Sequence, residues 1–279
     1  MAVERESWRA RLLQDVFRVL VFAVVVGGVA AAVYFPPRTS PQWLDVIARV
    51  FAGFTAELLA IALFRLVLPT PRRGAHRIAK DGQYAAWLLS AAFAEVAMHP
   101  ALRFPFWFLH STRVLYLRAL GARVSWGASL HEQVNIREPA LFAVGTGSQI
   151  EPGVTVEAAL HGAGRVRVGP VTIGEGCLIG AHAILLPGST IGHDARIESG
   201  AIVGEDARVG VQAVVGAGAR LGQEVDLGSY TSVGAGAIVA QGVVVGDRGR
   251  IAPGAVVERD TKIGEREVWG GTPAVRLKG

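Results

Sequence analysis

The chain has 279 residues, 51% of them hydrophobic, and a net charge of +5, which allows one large domain or two. Its Lys and Arg residues mostly flank apolar runs, with no basic patch interleaved with base-stacking aromatics, so the composition excludes a nucleic-acid partner and points to a membrane surface. A single cysteine, Cys177, excludes an internal disulfide framework and cannot by itself form a thiolate metal site.

Residues 1–15 are charged, and an almost purely apolar run follows from Val19 to Phe35, ending at Pro36 and Pro37. With Val16 and Phe17 it approaches the ~20 residues needed to cross ~30 Å of hydrocarbon. It reads as a retained transmembrane helix rather than a signal peptide, because the charged leader is long and a second span follows. That second span runs roughly from Val46 to Leu68, with Glu57 at its middle. Eleven Val, Ile, Leu or Phe residues between Val50 and Leu68 outweigh a carboxylate costing ~3 kcal/mol at the centre of a helix. Glu57 is either a functional intramembrane acid or a helix-packing contact.

The arginines set the orientation. Arg5, Arg9, Arg11 and Arg18 precede the first span, Arg72, Arg73, Arg77 and Lys80 follow the second, and only Arg38 lies between them. Both ends should therefore face the cytoplasm, making this a multi-pass protein of the cytoplasmic membrane with its C-terminal part on the cytoplasmic side. Tyr84 to Met98 is short for a span, carries Glu95 and reads as a re-entrant or interfacial helix. From Leu102 to Leu120, Arg103, His110, Arg113 and Arg118 fall roughly on one helical face, as in a segment lying along a membrane surface.

From Ile173 an aliphatic residue then falls at every sixth position up to Ile263, sixteen times without exception, often followed by glycine. The fourth residue after most of these aliphatics is small, as in Ala183, Ala195, Ala201, Ala207, Ala213 and Ala219. Six is not a multiple of 3.6, so no helix face collects these residues. Three hexads per coil, with aliphatic and small residues inward and glycine at corners, make a parallel β-helix with about eighteen residues per turn. The same rhythm begins at Val124, Leu130 and Ile136, slips by two to Val144, and resumes at Ile150 and Val156. The domain boundaries follow: a membrane region over 1–69, interfacial helices over 70–123, the β-helix over 124–268 and a closing segment over 269–279.

The rhythm breaks once, between Val156 and Ile173, in "EAALHGAGRVRVGPV". A solenoid tolerates an insertion where it can leave the coil, and loops on rigid scaffolds are where chemistry collects. His161 lies there. Cys177, at the small inward position of its hexad, reads as core filler. His182 and His193 fall at outward positions, while His76 and His99 lie in the membrane-proximal part.

The segment "VTVEAALH", a loop, and then "GPVTIGEGCLIGAHAILLPGSTIG" resembles the hexapeptide-repeat acyltransferases of the maltose and galactoside acetyltransferase branch, and "WGGTPAVRLKG" is similar to their closing Gly-x-Pro-Ala segment. Over residues 80 to 275 the chain resembles most nearly the membrane-anchored β-helix domains of poly-amino-acid synthetases of the ε-poly-lysine type. Those share a "YLR-x-x-GA" approach, an "I-x-E" element like Ile136 to Glu138, a histidine loop before "GPV-x-IG" and a Trp-Gly-x-Pro-Ala end. The adenylation and carrier domains of those synthetases are not found here, so a polymerising role does not transfer. The resemblance implies an all-β left-handed parallel β-helix behind an α-helical membrane region, assembled as a homotrimer. It also implies acyl-CoA as co-substrate with no permanently bound cofactor, and His161 as catalytic base.

Acyl transfer from a thioester needs little activation of the donor, but the acceptor hydroxyl or amine needs a base. Neutral imidazole takes that proton at physiological pH and returns it to the departing thiolate. A partner carboxylate would orient the ring, and Glu138 suits by geometry: three hexads before the coil of Val156, it stacks under Ala158 near the root of the loop. Glu157 ranks second, either as a partner or as a solvated corner residue. His131 occupies a place where the sugar acetyltransferases carry an acceptor-contacting residue, and the turn amides of Gly180 and Ala181 hold the thioester oxygen by family analogy. The acceptor expected of an anchored enzyme is a membrane lipid or lipid-linked group. Two other readings remain open: a membrane-anchored scaffold, and a metal-dependent carbonic-anhydrase-like β-helix. The latter's motif needs histidines where this chain has Ala181 and Leu186.

Overall fold

The computed structural model of the chain describes residues 2–34, 42–77, 82–107, 109–162 and 164–278. It divides into two compact units, one of Met1–Pro71 and His76–Ala122, the other of Arg72–Ala75 and Arg123–Gly279.

The first unit is helical: α1 (Ala2–Tyr34), α2 (Gln42–Val67), α3 (Gly82–Ala97), α4 (Pro100–Trp107) and α5 (His110–Ala119). One core takes Val21 and Val25 from α1, Ile61 from α2, Phe93 from α3, Phe106 from α4 and Tyr116 from α5. Among the described residues one helix is long and apolar enough to cross a membrane, over Leu44–Val67, and only 17% of its apolar window is buried in the protein. The apolar run Val16–Ala31, where the other span is expected, lies in α1, which continues as a helix to Tyr34. Arg38 and Lys80, two of the residues that set the expected orientation, lie outside the described residues.

In α3, Trp87, Ala92, Phe93 and Ala97 are all buried, while Glu95 stays exposed. The segment Leu102–Leu120 is split between α4 and α5. Arg113 turns inward, 7% exposed, and its guanidinium donates to the Trp107 carbonyl at 2.6 Å and lies 5.6 Å from the centre of the Trp107 ring. One of the four cations expected on a common face thus points inward, to a carbonyl at the end of α4 that has no partner within the helix. Glu57 is 4% exposed, and its Oε1 has no hydrogen-bond partner among the described residues.

The second unit is a parallel β-helix. Its coil strands form three sheets of eight, nine and seven strands, the nine including the antiparallel closing strand Ala274–Lys278, and a separate three-stranded sheet holds the strands Ala159–Gly162 and Arg165–Val168. In the regular part the register is eighteen residues, with Ile173 opposite Ile191, Ile179 opposite Ile197 and Leu185 opposite Val203. All sixteen aliphatic positions from Ile173 to Ile263 are buried, none more than 3% exposed. The strands are two residues long because each hexad spends the rest on its corner, so one side chain points out and the next in. Small corner residues allow the coils to stack: a Cβ on Gly204 would lie 2.3 Å from the carbonyl oxygen of Gly222 in the next coil.

Two irregularities in the hexads have structural counterparts. The slip of two before Val144 is taken up by a 3-10 turn, Pro139–Leu141, so that Val124 stands opposite Val144 and Ile136 opposite Val156. The break after Val156 is an antiparallel hairpin leaving the coil, made of the strands Ala159–Gly162 and Arg165–Val168. At the far end the strand Val268–Gly271 pairs with Ala274–Lys278 and closes the coil.

Candidate functional site

The hairpin exists because eleven residues more than one regular coil separate strands that still pair. Val144 stands opposite Ile173 and Val156 opposite Leu185, twenty-nine residues apart instead of eighteen. The excess cannot enter the close-packed stack, so it pairs with itself. His161 stands opposite Val166 in that pairing and Leu160 opposite Arg167. His161 is exposed whereas Val166 is buried.

The root of the hairpin is fixed from two sides. The Ala158 amide donates to Glu138 Oε2 at 3.1 Å, and the Ala158 carbonyl accepts from the Gly169 amide at 2.9 Å. Glu138 thus lies beneath Ala158, as stacking three hexads apart predicts, with its carboxylate spent on the backbone. Burial pushes the Glu138 carboxyl up to about 7, and neighbouring Glu157 adds to the rise against the pull of the Ala158 amide and Arg137. Arg137, beside Glu138 in sequence, approaches Glu157 with its Nε 3.5 Å from Oε1. Although the residue is exposed, desolvation of the ring by its hairpin surroundings, and then the positive charge of Arg137, hold His161 below the ordinary histidine range. At neutral pH the ring is therefore uncharged, the form that accepts a proton.

Glu138, Arg137, Glu157 and His161 form one electrostatic cluster at this corner. Arg137 was not singled out by its sequence position, although the alternation of "NIREP" places it outward beside the carboxylate. The other expected site residues lie elsewhere. His131 follows the strand Ser129–Leu130, in a different sheet from the strands Asn135–Ile136 and Thr155–Val156 beside the hairpin. Its Nδ1 accepts from the Gln133 amide at 3.2 Å. The Gly180 amide donates to the Ile197 carbonyl at 2.7 Å and the Ala181 amide to Glu151 Oε2 at 2.9 Å. In this structure the Gly180 amide is thus part of the ladder between coils, and the Ala181 amide is satisfied by a carboxylate of a neighbouring coil.

The remaining residues are structural. Cys177 is buried inside the coil with its thiol 3.0 Å from the Gly192 carbonyl oxygen, and burial pushes that thiol above its usual range. His193 Nδ1 accepts from the Glu175 amide at 3.1 Å. His182 is exposed at a corner with φ of 59° and lies against Gly153.

Residues 170–205 match the family profile described as bacterial transferase hexapeptide (six repeats), and residues 200–229 match that described as hexapeptide repeat of succinyl-transferase. The coil is therefore a hexapeptide-repeat β-solenoid. No curated protein matches the chain. Among solved structures, WeeI from Acinetobacter baumannii AYE is similar at 21% identity, over 46% of this chain and 57% of that one, with a TM-score of 0.41. The acetyltransferase domain of PglB from Neisseria gonorrhoeae FA1090 is similar at 19% identity, over 57% and 61% of the two chains, with a TM-score of 0.37. AntD, an N-acyltransferase from Bacillus cereus in complex with dTDP and 3-hydroxybutyryl-CoA, is similar at 18% identity, over 58% and 86%, with a TM-score of 0.40. The chain spans less than two thirds of the length of the first two, 57% and 61%.

Proposed function

We propose that the chain is a membrane-associated acyltransferase that moves an acyl group from a thioester donor, acyl-coenzyme A, to a hydroxyl or amine of an acceptor held at the membrane. The observation that carries this reading is the hairpin at the large break in a hexapeptide-repeat coil, which presents the exposed imidazole of His161 close enough to Arg137 to feel its charge. His161 takes the proton of the acceptor O–H or N–H as the acceptor attacks the thioester carbon. The C–S bond breaks as the tetrahedral intermediate collapses, and the imidazolium returns the proton to the thiolate, so the base ends the cycle as it began.

Glu138 enters this reading as a positioning residue. Its carboxylate holds the Ala158 amide, three residues before His161, and the charge next to the ring is that of Arg137. Glu157 tempers Arg137 through their ion pair. Neither Gly180 nor Ala181 is assigned the thioester oxygen, because both amides are already used. The same reading has the chain assemble as a homotrimer, with α2 as the membrane element and the coil on the cytoplasmic side, where acyl-coenzyme A is made.

The test uses the full chain in lipid nanodiscs with a panel of acyl-coenzyme A donors and membrane lipid extract, reading free thiol released. Turnover that depends on the extract and is lost in His161→Ala supports the reading. Equal thiol release by the two proteins favours the scaffold alternative.

A further inference from the structure

We infer that Arg167 is a positioning residue for His161, acting through an ion-pair clasp, Arg167–Asp206–Arg73, that fastens the hairpin to the coil. The inference rests on the proposed role of His161. Arg167 and His161 lie on opposite strands of the hairpin, one residue out of register, so whatever fixes the strand Arg165–Val168 also fixes the strand that carries the imidazole.

The guanidinium of Arg167 reaches three carboxylates of later coils: Glu205 Oε2 at 3.2 Å, Asp206 Oδ2 at 2.7 Å and Glu224 Oε1 at 3.7 Å. The second oxygen of Asp206 takes the Arg73 guanidinium at 2.5 Å. Arg73 immediately precedes the strand Gly74–Arg77, which is hydrogen-bonded along the free edge of Arg165–Val168. One carboxylate thereby ties the coil to the hairpin and to the strand that covers it. Asp206 is held for this by its backbone: its φ is 54°, a left-handed conformation that non-glycine residues seldom adopt, and its amide donates to the Pro187 carbonyl at 2.9 Å.

The strand Arg165–Val168 buries Val166 and Val168 and turns Arg167 the other way. Arg73, Arg167 and Asp206 rim a cavity of about 250 Å³ that Val168, Gly169 and Pro187 also line. Side-chain packing leaves that space open, and the ion pairs bridge it. A planar guanidinium meets several carboxylates at once, which a lysine ammonium matches poorly.

The test compares Arg167→Ala and Asp206→Asn with wild type, Arg220→Ala serving as an outward-facing control on the coil. Asparagine keeps the shape of Asp206 and tolerates its backbone conformation. Hydrogen exchange of the amides of residues 159–168 should quicken at least tenfold in both variants while the coil amides stay protected. Turnover should fall at least tenfold in kcat with the donor KM within twofold, and Arg220→Ala should match wild type in both respects. Unchanged hairpin exchange overturns the clasp, and quickened exchange with wild-type kcat overturns the positioning role. If His161→Ala keeps wild-type turnover, it is the base assignment that fails, and the exchange measurement still decides whether the clasp exists.

Discussion

The carboxylate of Glu138 accepts a hydrogen bond from the amide of Ala158 at 3.1 Å across twenty residues of sequence and one turn of the coil. That contact joins the only irregular stretch of the early coils to the only large insertion. It gives Glu138 a mechanical task, and its consequences differ from those of a carboxylate paired with an imidazole.

Removing the acceptor should matter more than removing the charge. Glu138→Gln keeps an oxygen for the Ala158 amide, whereas Glu138→Ala leaves that amide unpaired. The alanine variant is expected to lose roughly tenfold to a hundredfold in kcat, as a displaced base does, and the glutamine variant less than fivefold by the roughly 1 kcal/mol scale of one hydrogen bond. Because the folded-state Glu138 carboxyl is raised to about 7 from an ordinary 4.5, the folded protein binds this proton more tightly than the unfolded chain. Its contribution to stability is therefore complete below about 4.5 and is lost as pH rises to about 7. Thermal melts from pH 4.5 to 8 should show that decline in wild type and a flatter profile in Glu138→Gln.

The acid limb of the pH–rate profile should lie below the ordinary histidine range, since burial and Arg137 both disfavour the imidazolium. Arg137→Gln removes one of these two causes. Its acid limb should move towards higher pH, and activity at pH 6 should fall relative to that at pH 8. An unmoved limb would separate Arg137 from the base.

In the helical unit, Glu57 is buried with one carboxylate oxygen lacking a partner among the described residues. An unsatisfied buried polar group costs about 1–3 kcal/mol, so Glu57→Leu should raise the thermal midpoint of the purified protein by a few degrees without changing turnover. A lower midpoint together with lost turnover would show that Glu57 serves the reaction.

The coil was legible from the sequence because each hexad repeats one physical solution: an inward aliphatic, an inward small residue and a corner. The register of eighteen follows from that count, as Ile173 against Ile191 shows. The placement of Glu138 under Ala158 was legible for the same reason. The helical unit was less so: hydropathy reports that α3 is apolar, but not which side chains it buries. Arg113 illustrates the difference, since a cation on an apparent polar stripe turns inward to the Trp107 carbonyl. The partner of the Ala181 amide was not legible, because Glu151 is thirty residues away in sequence. Arg167 escaped notice because Glu205, Asp206 and Glu224 become its neighbours only after the coil has closed.

The most direct test of the account is thiol release from acyl-coenzyme A by the full chain in nanodiscs containing its native lipids, wild type against His161→Ala. The account predicts acceptor-dependent release that falls by roughly a hundredfold or more when the base is removed. Release that is the same in both proteins, at any pH between 6 and 8, would contradict it.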